Sequence, residues 1–179
     1  LMLLVTAVMW WFRPPPEWES VVCDVGQGDA VLHRTGEHSA VLVDGGPDPR
    51  ALTRCLRDAD VTRLDAVIAT HDHADHVAGL EGLAEIVDVD RVWYSAAGDT
   101  LPDELTQWAD IATRPSPGEQ LHVGPLTVEV LAPAPPTLAE TAAPGATGGA
   151  RPPRSTHRKV TSEDENNASL VLLLTVQGP

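Results

Sequence analysis

Between Thr70 and His76 the chain reads Thr-His-Asp-His-Ala-Asp-His, placing three of its seven histidines and two carboxylates in six consecutive residues. Imidazole nitrogens and carboxylate oxygens are the ligand set of zinc and similar divalent ions. In an extended loop alternate residues point the same way, so His71 and His73 can share one ion. Asp75 and His76, a turn later, are offset enough to hold a second. The spacing predicts two divalent metal ions side by side, zinc or manganese. A solvated polar loop is the plain alternative; it fits less well, because imidazoles are rarely crowded together without a metal to hold them. A single structural zinc also fits poorly, since such sites favour closed, cysteine-rich shells and no cysteine lies near this loop.

The elements around the loop follow from periodicity. Leu64 to Ala69 is apolar and β-branched and too short for a helix, so it predicts a buried strand. From Val77 onward, Val77, Leu80, Leu83, Ala84 and Val87 recur at helical spacing. The histidines thus sit on a strand-to-helix loop, a place where a rigid scaffold presents side chains. Upstream, Val21 to Val25 predicts a strand, Gly26-Gln27-Gly28-Asp29 a tight turn, and Ala30 to His33 a second strand. Thr35 to His38 turns into a returning strand, Ser39 to Val43, which ends in Asp44-Gly45-Gly46. A carboxylate at a strand end before two glycines suits the close approach of another backbone or an ion, or simply a turn.

Pro49 to Ala59 predicts a helix with Leu52, Cys55, Leu56 and Ala59 on its apolar face. Downstream come a strand at Arg91 to Ser95, a helix from Pro102 carrying Leu105, Trp108, Ala109 and Ala112, and a hairpin of Glu119 to Val123 with Leu126 to Leu131. A Pro-, Ala- and Gly-rich flexible loop follows, at about 132–165, then a final strand from Ala168 to Val176 that is expected to be buried. Strands in front, then strand and helix alternating, make a layered α/β pattern.

At 179 residues and 42% hydrophobic content the chain can bury one core. Residues 1–20 stand apart. Leu1 to Phe12 carries no charge and runs through Trp10-Trp11 into Arg13 and three prolines, the pattern of an interfacial belt and a helix stop. We read it as the end of a transmembrane helix and its linker, with a partial catalytic domain over 21–179. The net charge of −14 argues against a general nucleic-acid binder. Arg151, Arg154, Arg158 and Lys159 nevertheless cluster in the predicted loop, where they could follow phosphates. Cys23 and Cys55 are too few for a disulfide framework and are expected as two buried thiols, with a bridge open outside the cytoplasm.

With DVGQGDA at Asp24 to Ala30, VDGG at Val43 to Gly46, THDHADH at Thr70 to His76 and NNASLVL at Asn166 to Leu172, the chain resembles the metallo-β-lactamase superfamily. More narrowly, it resembles the C-terminal domain of the ComEC family of competence proteins, which import DNA during natural transformation. The resemblance implies an αββα sandwich, C-terminally truncated, with the metals at one edge of two sheets. It implies His71 and His73 as ligands of the first metal, Asp75 and His76 as ligands of the second, and Asp44 as the carboxylate that buttresses the histidine loop. Asp75 and Asp44 are therefore the expected catalytic residues.

The family's bridging aspartate and last histidine would fall beyond Pro179, and a third histidine for the first metal is not evident. Asn166 and Ser169 stand in that region as candidate substrate-binding residues. The fragment alone is expected to hold metal poorly. The implied activity is hydrolysis of phosphodiester bonds in the DNA strand that is not imported. The implied partners are DNA, the membrane-embedded channel region of the same parent chain, and other competence proteins. The implied location is the cell membrane, with this domain in the extracytoplasmic aqueous phase. The alternatives are hydrolysis of a small ester, lactone or thioester on the same scaffold, and a non-catalytic module that guides DNA.

Overall fold

The computed structural model describes residues 18–98, 100–132 and 161–177. The predicted transmembrane helix, its linker as far as Glu17, and Arg151, Arg154, Arg158 and Lys159 lie outside the described residues, while Ser20, placed in the linker, already begins the first strand. Among the described residues no helix is long and apolar enough to cross a membrane.

The chain opens with an antiparallel meander of β1 (Ser20–Val22), β2 (Val31–Arg34) and β3 (Ser39–Val43). Helix α1 (Pro49–Asp58) then carries it over to β4 (Arg63–Ala69), which pairs parallel to β3. Asp48 caps α1 by accepting from the Arg50 N–H at 2.8 Å, and Pro49 occupies the first turn, where its missing N–H costs nothing. Strands β5 (Asp88–Val89), β6 (Val92–Tyr94) and β7 (Ala112–Thr113) complete a seven-stranded sheet ordered β1-β2-β3-β4-β6-β7, with β5 paired to β4. A second, antiparallel sheet contains β8 (Gln120–Val123), β9 (Leu126–Ala132) and β10 (Val171–Val176), ordered β10-β9-β8.

β4 explains why its sequence is almost continuously apolar. Val67 and Ala69 join the core under α1, while Ala66 and Ile68 join Trp93, Val128 and Val130 between the two sheets. Both faces of the strand are covered, as expected of a parallel strand in a layered fold. The described layers are therefore helix, sheet, sheet. The outer face of the smaller sheet leaves Leu131, Val171 and Leu173 about half exposed, so the second helical layer of an αββα sandwich is not present among the described residues.

Three local expectations differ from the structure. After the histidine loop there is only one α-turn, α2 (Ala74–Val77), followed by 3₁₀ turns at Ala78–Leu80 and Leu83–Glu85. Gly82, at φ 71°, breaks the helix in the left-handed region. Val77, Leu80, Leu83 and Val87 are still buried, but Ala84 is exposed. The segment after Pro102 is likewise a 3₁₀ helix, Asp103–Trp108, with Leu105 and Trp108 buried and Ala112 already in β7. Third, the end of the predicted loop is ordered as α3 (Ser162–Asn167), started by a capping box between Thr161 and Asp164.

The cysteines are also corrected. Cys23 and Cys55 form a disulfide, with Cα atoms 5.6 Å apart. Cys23 directly follows β1 and packs beside α1, which carries Cys55, and that puts the two residues within bridging distance.

Candidate metal centre

β3 and β4 are parallel neighbours, so their C-terminal ends lie side by side, and that adjacency builds the site. Asp44 follows β3 at φ 58° and donates its N–H to the Ile68 carbonyl at 2.8 Å. Its carboxylate is buried and accepts three hydrogen bonds: from the Thr70 N–H at 2.7 Å, the Thr70 hydroxyl at 2.8 Å and Nδ1 of His76 at 2.8 Å. Gly45 donates to the His76 carbonyl at 2.6 Å, and Gly79 donates to the Gly46 carbonyl at 2.7 Å. A Cβ on Gly79 would fall 1.9 Å from the Gly45 oxygen, so only glycine lets the two segments meet.

These bonds assign the protons. A carboxylate only accepts, so Nδ1 of His76 carries its hydrogen toward Asp44 and Nε2 is left as the free nitrogen. The Thr70 hydroxyl spends its single hydrogen on Asp44. Toward His71 it can therefore only accept, and Nδ1 of His71 donates to it at 3.0 Å. His71 thus also presents Nε2. In His73, Nε2 is buried and has no hydrogen-bond partner. The His71 ring centroid lies 4.7 Å from that of His73 and 4.1 Å from that of His76.

Electrostatics set the two rings apart, His71 toward its neutral form and His76 toward its protonated form, from which a cation at Nε2 would have to displace a proton. Burial, and then the neighbouring His76, push the His71 pKa down and favour its neutral, ligating form. The hydrogen bond to Asp44 pushes the His76 pKa up. Nε2 of His76 faces two carboxylates, Asp75 Oδ2 at 3.8 Å and Asp29 Oδ2 at 3.9 Å. Asp72 points elsewhere: burial, then the charges of Glu165 and Glu104, raise its pKa.

The donor set fits a divalent ion. Three crowded imidazoles, one with a buried orphan nitrogen, are costly unless a cation takes up their lone pairs. Among the described residues, no three His, Cys, Asp or Glu side chains are already gathered around a single point.

Of the predicted site residues, His71, His73, Asp75, His76 and Asp44 come together. Ser169 lies beside them, because the next residue, Leu170, donates to the Thr70 carbonyl at 2.9 Å. Its hydroxyl turns back to the Glu165 carbonyl at 3.5 Å. Asn166 is exposed in the last turn of α3, and among the described residues no hydrogen bond joins its side chain to the histidines. Asp29 had no role assigned from sequence, although its place after Gly26-Gln27-Gly28 was a signal. A groove of about 530 Å³ runs along α1 between Trp18, Cys23, Arg54 and Asp58, and no histidine of the loop lines it.

Comparison with known proteins agrees with the fold. The profile of the metallo-beta-lactamase superfamily matches residues 23–150. Ribonuclease Z of Methanopyrus kandleri is 32% identical over 129 residues, covering 63% of this chain and 45% of the relative. Hydroxyacylglutathione hydrolase of Aeromonas salmonicida is 33% identical over 95 residues, covering 53% and 34%. The chain thus spans less than half the length of these curated relatives. Among solved structures, MEM-A1, a subclass B3 metallo-beta-lactamase isolated from a soil metagenome library, superposes with a TM-score of 0.50. It is 20% identical and covers 63% of this chain and 49% of its own, a likeness of fold alone. Two sheets with a helical layer, a histidine loop at the end of β4 and a family profile over most of the chain lead to one conclusion: the chain belongs to the metallo-beta-lactamase superfamily.

Proposed function

We propose that this domain hydrolyses phosphodiester bonds in DNA with the help of divalent ions, as the aqueous-phase part of a ComEC-like DNA-uptake protein. The carrying observation is the set of Nε2 atoms of His71, His73 and His76 on one short loop, the one in His73 buried without a partner. His71 and His73 would hold one ion, and Asp75 and His76 a second, zinc or manganese. Bound there, divalent ions supply Lewis-acid activation of water and neutralise charge on the phosphate. Asp44 fixes the His76 ring. Beside its ligand role Asp75, which is half exposed, would also help orient the attacking water.

Ser169, Asn166 and the cationic residues Arg151, Arg154, Arg158 and Lys159 are assigned to holding the DNA strand. The DVGQGDA sequence supports the ComEC assignment, and with it the channel region of the same parent chain and other competence proteins as partners. A disulfide at Cys23–Cys55 supports placement on the extracytoplasmic side of the cell membrane, because such bridges persist in oxidising compartments. The relative named ribonuclease Z supports nuclease chemistry on this scaffold.

A second reading, thioester hydrolysis, is favoured by the relatives named hydroxyacylglutathione hydrolase. One experiment separates the two. The full-length parent protein, supplied with manganese or zinc, is assayed on single-stranded DNA, a nitrophenyl phosphodiester and an acyl thioester. We expect cleavage of the first two, and a fall to the uncatalysed background in a His71→Ala, His73→Ala variant. Turnover of the thioester alone would transfer the assignment to the second reading. DNA binding without any cleavage would leave a guiding module.

A further inference from the structure

We infer that Asp29, from the glycine-rich loop between β1 and β2, is a further ligand of the cation held by His76 and Asp75. The inference rests on the metal-binding reading above and extends it to a residue outside the histidine loop.

The loop is built to deliver this carboxylate. Gly28 sits at φ 150°, and a Cβ there would fall 2.1 Å from the Asp75 carbonyl oxygen, so the two backbones touch at a spot open only to glycine. Just beyond, the Asp29 N–H donates to the same Asp75 carbonyl at 3.4 Å. On the other side, the loop is fastened by Cys23 to α1 and by the Cys23 N–H to the Ala30 carbonyl at 2.9 Å. Asp29 is therefore carried on a short segment tied at its base and pressed against the residue whose side chain it would join.

The result is symmetrical about His76. Its Nδ1 is committed to Asp44, so Nε2 is the only nitrogen it can offer a cation. The carboxylates of Asp75 and Asp29 stand 3.8 and 3.9 Å from that nitrogen. Oxygen and nitrogen ligands at about 2.0–2.2 Å from a shared ion lie some 3–4 Å from one another, and each carboxylate stands at that spacing from Nε2. Asp29 is 72% exposed, and among the described residues no other hydrogen bond or ion pair holds its carboxylate.

The test is a cobalt(II) titration of the purified full chain, read by the visible d–d absorption band and by bound metal per protein. Wild type, Asp29→Asn, Asp29→Glu and Asp24→Asn are compared. Asp24 is an exposed carboxylate on the same loop and serves as the charge control. Removing a ligand should weaken one cobalt site about tenfold or more and move its absorption band. Asp29→Glu should recover part of both, and Asp24→Asn should match wild type. If Asp29→Asn binds cobalt with the wild-type band and affinity, the inference is overturned while the histidine site stands. An equal weakening in Asp24→Asn, with no band change in either variant, would reduce Asp29 to a distant charge and overturn it too. If wild type binds no cobalt at all, both the site and the inference fall. Since Asp29 lies at the surface, an unchanged circular dichroism spectrum confirms that its variants remain folded.

Discussion

His76 stands between two carboxylates that the fold treats in opposite ways. Asp44, on its Nδ1 side, is 4% exposed and satisfied by three donors. Asp29, on its Nε2 side, is 72% exposed and hangs from a loop. The first is part of the scaffold: it decides which nitrogen carries the proton and where the ring points. The second is free to turn toward whatever approaches. A site of this kind needs both, one rigid partner to orient the ligand and one mobile partner to complete the shell.

The contrast is sharpest under truncation. Asp44→Ala removes one buried acceptor from the Thr70 N–H, the Thr70 hydroxyl and His76. A buried donor left unpaired costs about 1–3 kcal/mol. Even with water replacing part of the network, we expect a loss of roughly 3 kcal/mol in chemical denaturation. Cation affinity should fall about 10–100-fold, because the His76 ring loses its orientation. The corresponding change on the exposed side, Asp29→Ala, should leave stability within about 0.5 kcal/mol. Equal destabilisation by the two variants would show that burial does not separate the two carboxylates.

The exposed side has its own anchor, the Cys23–Cys55 bridge that ties the glycine-rich loop to α1. A Cys23→Ser, Cys55→Ser variant should lose about 2–4 kcal/mol, the usual contribution of a bridge that closes a loop of this size. Wild type should show the same loss in reductant, and the variant should not respond to reductant. Thermal melts with and without dithiothreitol decide it. A wild type insensitive to reductant would mean that the loop is held by the Gly28–Asp75 contact rather than by the disulfide.

How much of this was legible in the sequence follows the same division. The buried side was readable, because it is local. The apolar run of β4, the histidine spacing and Asp44 before two glycines each carry their signal within a few residues. What escaped depends on pieces brought together from afar. The disulfide needs α1 to pack beside Cys23, and Asp29 needs Gly28 to touch Asp75, a contact between residues 47 positions apart in the chain. The broken helix after Val77 was a misjudgement of competing signals: the apolar spacing was right about burial, but Gly79 and Gly82 outweighed it as to helix type. The capping box at Thr161 and Asp164 was a readable start signal inside a segment whose composition pointed to a loop.

The smallest expected effect comes from a histidine that belongs to neither side. His33 lies on β2, with Nδ1 2.8 Å from the Ser20 hydroxyl, and burial pushes its pKa below 6.5. The folded chain therefore resists a proton that the unfolded chain accepts. Above pH 6.5 both states leave the ring neutral and His33 contributes no pH dependence. As pH falls through 6.5 the unfolded state takes up the proton first, so stability drops until the pH passes the lowered folded value. Because the ring is only half buried, the slope is shallow. Melting temperatures of wild type and His33→Gln, followed from pH 7.5 to 5, should converge in slope above 6.5 and diverge below it, wild type falling faster. His33 lies on β2, outside the histidine loop, so that divergence should survive the addition of zinc. A divergence that zinc abolished would couple His33 to the cation site and contradict the separation between scaffold and site drawn above.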